Sequence, residues 1–440
     1  MNKKYGTKRF IIYIAAFLIL LLVYFWGTKK LISPAYASII ELACLAILIL
    51  VFSITMVMLL VTTIHYLISN QPNNIKKKIN GQMITIVSVL CLVAIIAAFS
   101  QLTAHTPAIR SENGEPLSGS IAEVEKVKLG GVDQWLIIRG VDINKPVLLF
   151  LSGGPGASEA ARVIRFNAEL EKHFVVVIWE QRGCGKSYPS INPKSSMTID
   201  QYVSDLVELT DLLRERFDEE KIYLIGHSWG TIIGVRAAQA RPDLYHAYVG
   251  ASQMVDLAET DQLIYKTVLA DSQKSGDQQF VSTLIAQGEP PYFGKNPISP
   301  YSTLFGKEYT LYEYPNIQSE EYRRNGDILM LMLKQPEYGW MDRVYYLLGL
   351  MNTFNLVYPQ LQDMDFRQDA VSMDLPVYLI LGRHDMNNPS PIPEDYFNLL
   401  QAPSKKLFYF EKSGHGMIWE EPDLFTNIMV NTVLPETFPL

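Results

Sequence analysis

Gly226-His227-Ser228-Trp229-Gly230 constrains the fold of this chain more than any other stretch. Ile222-Tyr223-Leu224-Ile225 runs into it as a short apolar strand. Thr231 to Ala238 leads out of it as a helix that ends before Pro242. A serine between strand and helix, with glycine two residues to either side, is the sequence form of a sharp turn. Such a turn lifts a hydroxyl above the edge of a sheet. The pentapeptide alone is weak evidence, and its strand–helix context makes it strong. Gly230 and Gly234, four apart, let the helix pack close to the sheet.

The surrounding sequence supplies that sheet. Val124–Leu129, a Gly130-Gly131 turn and Trp135–Ile138 predict a hairpin. Apolar strands follow at Val147–Leu151, Phe174–Trp179, Ala247–Val249, Val377–Leu381 and Leu407–Phe410. A capping box, Thr198 with Gln201, opens a helix that carries Tyr202, Leu206, Leu209 and Leu213 on one face. Strands alternating with helices imply a mostly parallel sheet covered on both faces. The alternation breaks between about 252 and 370. That stretch is helix-leaning and aromatic (Tyr265, Tyr292, Phe293, Tyr309, Tyr312, Tyr314, Tyr322, Trp340, Tyr345, Tyr346). It reads as an insertion at the carboxyl edge of the sheet, where open α/β folds bind ligands. As a whole it is expected to form a lid; taken singly, each tyrosine is ordinary core.

A serine on such a turn needs a base to take its proton and an acid to orient that base. After Ser228, Asp385 is the first carboxylate past Val377–Leu381, and His415 follows Leu407–Phe410 with glycine on both sides. The chain order Ser228, Asp385, His415 is the one this architecture uses. His384 and His227 are rival bases, expected to be structural. An oxyanion needs backbone donors. Trp229 supplies one, and the loop Ser152-Gly153-Gly154-Pro155-Gly156 the other, through Gly154 or alternatively Gly153.

Residues 1–104 differ from the rest. They carry nine basic side chains and one acid, Glu41, against a whole-chain charge of −7, so residues 105–440 carry −15. Uncharged runs cover Phe10–Trp26, Leu42–Ile64 and Met83–Phe99. A bilayer core needs roughly 20 apolar residues, with about 17 as the lower limit. Three transmembrane helices are therefore expected, over about 10–28, 42–64 and 82–100. Basic residues cluster at the N-terminus and at Lys76-Lys77-Lys78, which predicts a cytoplasmic N-terminus and an extracellular domain over 105–440. Lys3 to Arg9, the first apolar run and Ala35-Tyr36-Ala37 also imitate a cleaved signal peptide. Cleavage would leave the large domain facing out. Glu41, at the edge of its run, reads as an interfacial carboxylate. Thr106–Ser120 reads as a linker. Cys184 is the large domain's one cysteine, so no disulfide forms inside it, which suits a bacterial cell surface.

Several classes are excluded or disfavoured. Gly185-Lys186-Ser187 is no phosphate-binding loop, because Glu180 stands where that motif needs glycine. The seven histidines lack metal-ligand spacing, so neither metal nor other cofactor is expected. A charge of −15 argues against nucleic acid as a partner.

Gly153-Gly154-Pro155-Gly156, Glu180 to Ser187, Gly226 to Gly230, Gly382-Arg383-His384-Asp385 and Gly414-His415 together resemble the prolyl iminopeptidase family of α/β-hydrolases. The resemblance covers about residues 121–440. It implies an α/β-hydrolase core at 121–251 and 371–440 with a helical lid at 252–370. It also implies a serine peptidase that removes N-terminal proline from short peptides, with acidic lid residues receiving the substrate's α-amine. Ser152, Glu180 and His227 depart from the family's usual His, Asp and Gly. The alternatives are an esterase or amidase for a small lipophilic substrate entering from the bilayer, and a non-catalytic protein that keeps the fold as a binding pocket.

Overall fold

The computed structural model describes residues 34–68, 72–311 and 326–438, with Tyr322 and Arg324. They fall into two units. One comprises the chain up to Ala104 together with Leu329–Met341; the other comprises His105–Ile328 and Asp342–Leu440.

The first unit is built on two long helices, α1 (Pro34–Ile68) and α2 (Pro72–Leu102). Each contains a stretch long and apolar enough to cross a membrane, Ser38–Ile68 and Asn73–Leu102. Ile47, Leu50, Val57, Leu60, Val87 and Leu90 are all exposed on their surfaces. Hydroxyls along them bond back to the carbonyl one turn earlier, as Thr55 Oγ1 does to Val51 O at 2.7 Å, so these groups are satisfied within the helix. Gln82 Nε2 donates to Thr62 Oγ1 at 3.1 Å, which fixes the register of the antiparallel pair. Two of the three expected spans are thus helices, longer than expected by several residues at their ends. The first apolar run, 10–28, lies outside the described residues.

The second unit is an eight-stranded sheet in the order β1-β2-β4-β3-β5-β6-β7-β8. Its strands are β1 (Ile121–Leu129), β2 (Val132–Gly140), β3 (Val147–Leu151), β4 (Val175–Glu180), β5 (Ile222–His227), β6 (Tyr245–Ala251), β7 (Val377–Gly382) and β8 (Lys405–Phe410). The β1–β2 and β2–β4 pairs are antiparallel and all others are parallel. The Gly130-Gly131 turn has φ of 53° and 78°, the left-handed geometry of a two-residue hairpin turn. Strands β3, β4, β5 and β7 are buried along their lengths, which explains why they read as unbroken apolar runs.

Helix α3 (Ile199–Phe217) begins with half of the expected capping box: Thr198 Oγ1 accepts from Gln201 N at 3.2 Å, while Gln201 Nε2 donates to Asp205 Oδ1 at 2.8 Å. Helix α4 (Trp229–Ala240) follows β5 and lies against the sheet. A Cβ on Gly230 would stand 2.2 Å from Leu151 O, and one on Gly234 would stand 2.8 Å from Tyr248 Cε2. Gly230→Ala is therefore expected to cost at least the roughly 1–3 kcal/mol of an overpacked core. A thermal melt of the full chain in detergent would check it.

The segment Thr106–Ser120, read as a linker, makes hydrogen bonds to the sheet and within itself. Thr106 and Pro107 are pinned to β2, with Arg139 Nη1 donating to Thr106 Oγ1 at 2.5 Å and to Pro107 O at 2.9 Å. Leu117 N and Ile109 O bond at 2.9 Å and close the segment on itself.

The insertion between β6 and β7 is helical: α5 (Leu257–Ser275), α6 (Gln278–Gln287), α7 (Ile298–Leu311), α8 (Ile328–Lys334) and α9 (Trp340–Val357). Tyr265, Tyr292 and Tyr346 are buried as core residues. Tyr301 and Tyr358 donate to the buried Asp261 at 2.6 and 2.9 Å. Burial pushes the Asp261 carboxyl up to about 6, against the pull of these two donors. Tyr312 and Tyr314 lie outside the described residues.

Candidate active site

The turn after β5 has the strain its sequence implies. Ser228 adopts φ 52°, ψ −123°, a conformation that costs a non-glycine residue on the order of 1–3 kcal/mol. Its N–H donates to Ala251 O at 3.0 Å, tying the turn to the end of β6. The serine is 9 % exposed at the carboxyl edge of the sheet. It is followed at once by the N-terminus of α4, whose first N–H groups have no partner within the helix.

Asp385 and His415 meet at the same edge, from the loops after β7 and β8. His415 Nδ1 lies 3.1 Å from both carboxylate oxygens of Asp385. Asp385 Oδ1 also accepts from the N–H groups of Asn387 and Asn388, each at 2.9 Å. Burial raises the Asp385 pKa, but His415, Ser252 and the Asn388 N–H outweigh it and hold the carboxyl below its ordinary value. A carboxylate against Nδ1 favours the imidazole tautomer with its proton on Nδ1 and Nε2 as the basic nitrogen.

Three residues that sequence reasoning passed over complete this arrangement. Ser252, at φ 52° just past β6, places Oγ 2.5 Å from Asp385 Oδ2 and 2.9 Å from His415 Nδ1. Asn388 Nδ2 donates to that same Oγ at 3.0 Å. Glu159 holds His227, with Nδ1 at 2.9 Å from Oε1, and accepts from Gly153 N at 2.9 Å. His227 Nε2 in turn donates to His415 O at 2.7 Å. The residue before Ser228 thereby fixes the backbone of His415. Sequence carried a signal only for Ser252, as a serine at the carboxyl end of a strand, and that signal is faint.

The rival histidines are occupied elsewhere. His227 is bonded through both ring nitrogens, and its burial, which disfavours charge, is outweighed by Glu159, so its pKa is raised. His384 is partly buried and bonds Glu411 O at 3.1 Å.

The glycine loop borders Ser228: a Cβ on Gly153 would come within 3.2 Å of Ser228 Cβ. The β4 loop braces it. Gln181 Nε2 donates to Ser152 O at 3.1 Å, and Trp229 Nε1 donates to Gln181 Oε1 at 2.8 Å. Glu180 accepts from Ser158 Oγ and from Lys186 N. Arg182 makes a fully buried pair with Asp205 at 2.9 Å. Helix α9 covers this loop, since a Cβ on Gly156 would stand 2.4 Å from Gly349 O. Thr353 Oγ1 donates to Gly183 O at 2.8 Å, and Lys186 Nζ pairs with Asp342 at 2.6 Å. Among the described residues no group of acidic, histidine or cysteine side chains could hold a metal ion.

Residues 146–422 match the family model described as the alpha/beta hydrolase fold. The chain belongs to the α/β-hydrolase family. Its relatives place it among the prolyl iminopeptidase-like members. It is 34 % identical over 316 residues to a probable aminopeptidase, YbaC, of Bacillus subtilis (strain 168), covering 71 % of this chain and 97 % of that one. It is 25 % identical over 297 residues to the proline iminopeptidase of Saccharolobus solfataricus, covering 66 % and 85 %. The crystal structure of the proline iminopeptidase-related protein TTHA1809 from Thermus thermophilus superposes with a TM-score of 0.50 at 17 % identity. It covers 72 % of this chain and 99 % of that one, and it supports the fold alone.

Proposed function

We propose that this chain is a membrane-anchored serine aminopeptidase that releases an N-terminal residue, proline or small and apolar, from short peptides. One observation carries the reading: Asp385 paired with His415 at the sheet edge where Ser228 is held in a strained turn. In the proposed mechanism Ser228 Oγ attacks the scissile carbonyl and His415 Nε2 takes its proton. Asp385 holds the Nδ1–H and stabilises the imidazolium that forms. The oxyanion is received by the N–H of Trp229 and that of Gly154. Gly153 is the weaker candidate because its N–H already serves Glu159. His415 then protonates the leaving amine, and water resolves the acyl-enzyme by the same steps in reverse.

Helices α1 and α2 would anchor the chain, and the basic residues at Lys76-Lys77-Lys78 would lie on the cytoplasmic side. The α9 contacts on the glycine loop support a lid role for the insertion. An esterase or amidase with a lipophilic substrate is the second reading, favoured by the company that Leu329–Met341 keeps with the spanning helices.

The test is hydrolysis of prolyl-arylamide and p-nitrophenyl esters by the detergent-solubilised full chain, with fluorophosphonate labelling mapped by mass spectrometry. Arylamide turnover with the label on Ser228 is expected. Ester cleavage alone would move the reading to the lipophilic substrate, and no label on Ser228 in folded protein would overturn both.

A further inference from the structure

The insertion segment Leu329–Met341 does not group with the hydrolase unit. It packs with α1 and α2. Trp340 Nε1 donates to Glu41 Oε2 at 2.9 Å, and Glu41 is only 3 % exposed. Gly339 lies so close to α2 that a Cβ there would stand 2.4 Å from Gln101 Oε1 and 2.8 Å from Gln101 Cα. The segment therefore touches both helices at one level.

That level can be located relative to a bilayer. The Gln82–Thr62 bond sets the pair in a register that brings Glu41 opposite the end of α2 near Gln101. Apolar sequence begins directly after Glu41 in α1. In α2 the uncharged run Met83–Phe99 is 17 residues long, or about 26 Å of helix, near the lower limit for crossing a hydrocarbon core of about 30 Å. Glu41 and Gln101 thus mark one boundary of that core, at the end where the chain leaves α2. The Trp340 indole, with its N–H on a carboxylate, sits where tryptophan is enriched in membrane proteins.

At this level the segment shows apolar side chains outward. Leu329, Met330 and Met341 are 50 %, 46 % and 41 % exposed. The same face of α9 continues with Val344, Leu348 and Met351, all exposed, at helical spacing from Met341. Leu329, Met330 and Met341 are exposed apolar side chains on a segment that packs with two spanning helices, so lipid is the partner at hand.

We propose that Leu329–Met341, with the first turns of α9, docks in the headgroup–acyl boundary of the bilayer, so that this part of the insertion is seated on the membrane. The proposal rests on the membrane-anchoring reading above.

Nitroxide accessibility tests it. The full chain, with Cys44→Ala and Cys91→Ala and with Cys184 left buried, is labelled singly at positions 330, 341 and 344 and reconstituted in phosphatidylcholine–phosphatidylglycerol vesicles. Positions 57 and 90 report the spans, and 399 reports an aqueous surface. Collision with oxygen is expected to exceed collision with a water-soluble nickel chelate several-fold at 330, 341 and 344, and the reverse at 399. Lipid-like values at 57 and 90 with aqueous values at 330, 341 and 344 would overturn the docking and leave the anchoring intact. Aqueous values at 57 and 90 would overturn both.

Discussion

Ser228→Ala is expected to lower kcat about 10⁶-fold and Asp385→Asn about 10⁴-fold, by the scale of other serine triads, measured on prolyl-arylamide with the detergent-solubilised full chain. The first change removes the attacking oxygen. The second leaves the shape of the site but takes away the charge that keeps the His415 proton on Nδ1. An amide at position 385 can present its NH₂ to Nδ1, which favours the tautomer with Nε2 protonated, and Nε2 can then no longer accept. Ser252 sharpens the test, since its Oγ already lies 2.9 Å from Nδ1. Adding Ser252→Asp to Asp385→Asn puts a carboxylate within reach of Nδ1 from the end of β6, and part of the lost kcat is expected to return. Equal loss in the single and double variants would show that the charge at Nδ1 is not what Asp385 contributes. Full activity of Ser228→Ala would remove Ser228 from the mechanism.

What could be read from the sequence divides along physical lines. The strands β3, β5 and β7 declared themselves because parallel strands buried on both faces admit only apolar side chains. The Ser228 turn was legible because strand, glycine spacing and helix all express the same backbone constraint. Asp385 and His415 could be placed because each follows a strand that the sequence delimits. Ser252 and Glu159 could not, because nothing local distinguishes a serine or glutamate that bonds a buried histidine or carboxylate from one that faces water. Their partners are 163 and 68 residues away. The departures at Glu180 and His227 acquire a physical account here. Glu180 organises Ser158 and the Lys186 N–H, and His227 carries the bond to His415 O, which a glycine could not make. The Pro, Gly and Ser content of Thr106–Ser120 carries no sign that Arg139, far along the sequence, bonds Thr106 and Pro107.

His227→Leu is expected to destabilise the folded chain by about 3–5 kcal/mol, the scale for breaking a buried ion pair from one side, in chemical denaturation of the full chain in detergent. It strands the Glu159 carboxylate in the interior with the Gly153 N–H as its near donor, and it releases His415 O. Glu159→Gln should cost less, under about 1.5 kcal/mol. The amide can accept from Gly153 N and donate to Nδ1 of a neutral His227, whose Nε2–H still serves His415 O. The pH dependence separates the two explanations. His227 has a raised pKa, so its share of the stability is complete below the ordinary histidine value near 6.5 and is lost as pH rises through the raised value. Glu159 is buried, which raises its pKa, but His227 and the Gly153 N–H outweigh this and lower it. Its share is complete above the ordinary glutamate value near 4.5 and is lost as pH falls through the lowered value. The wild-type pair therefore stabilises most between about pH 4.5 and 6.5. Glu159→Gln should flatten that window while keeping most of the activity. A variant that kept the wild-type pH profile of stability would show that the pair is not charged in the folded chain. A variant that lost activity in proportion to stability would show that His227 does more than hold His415 in place.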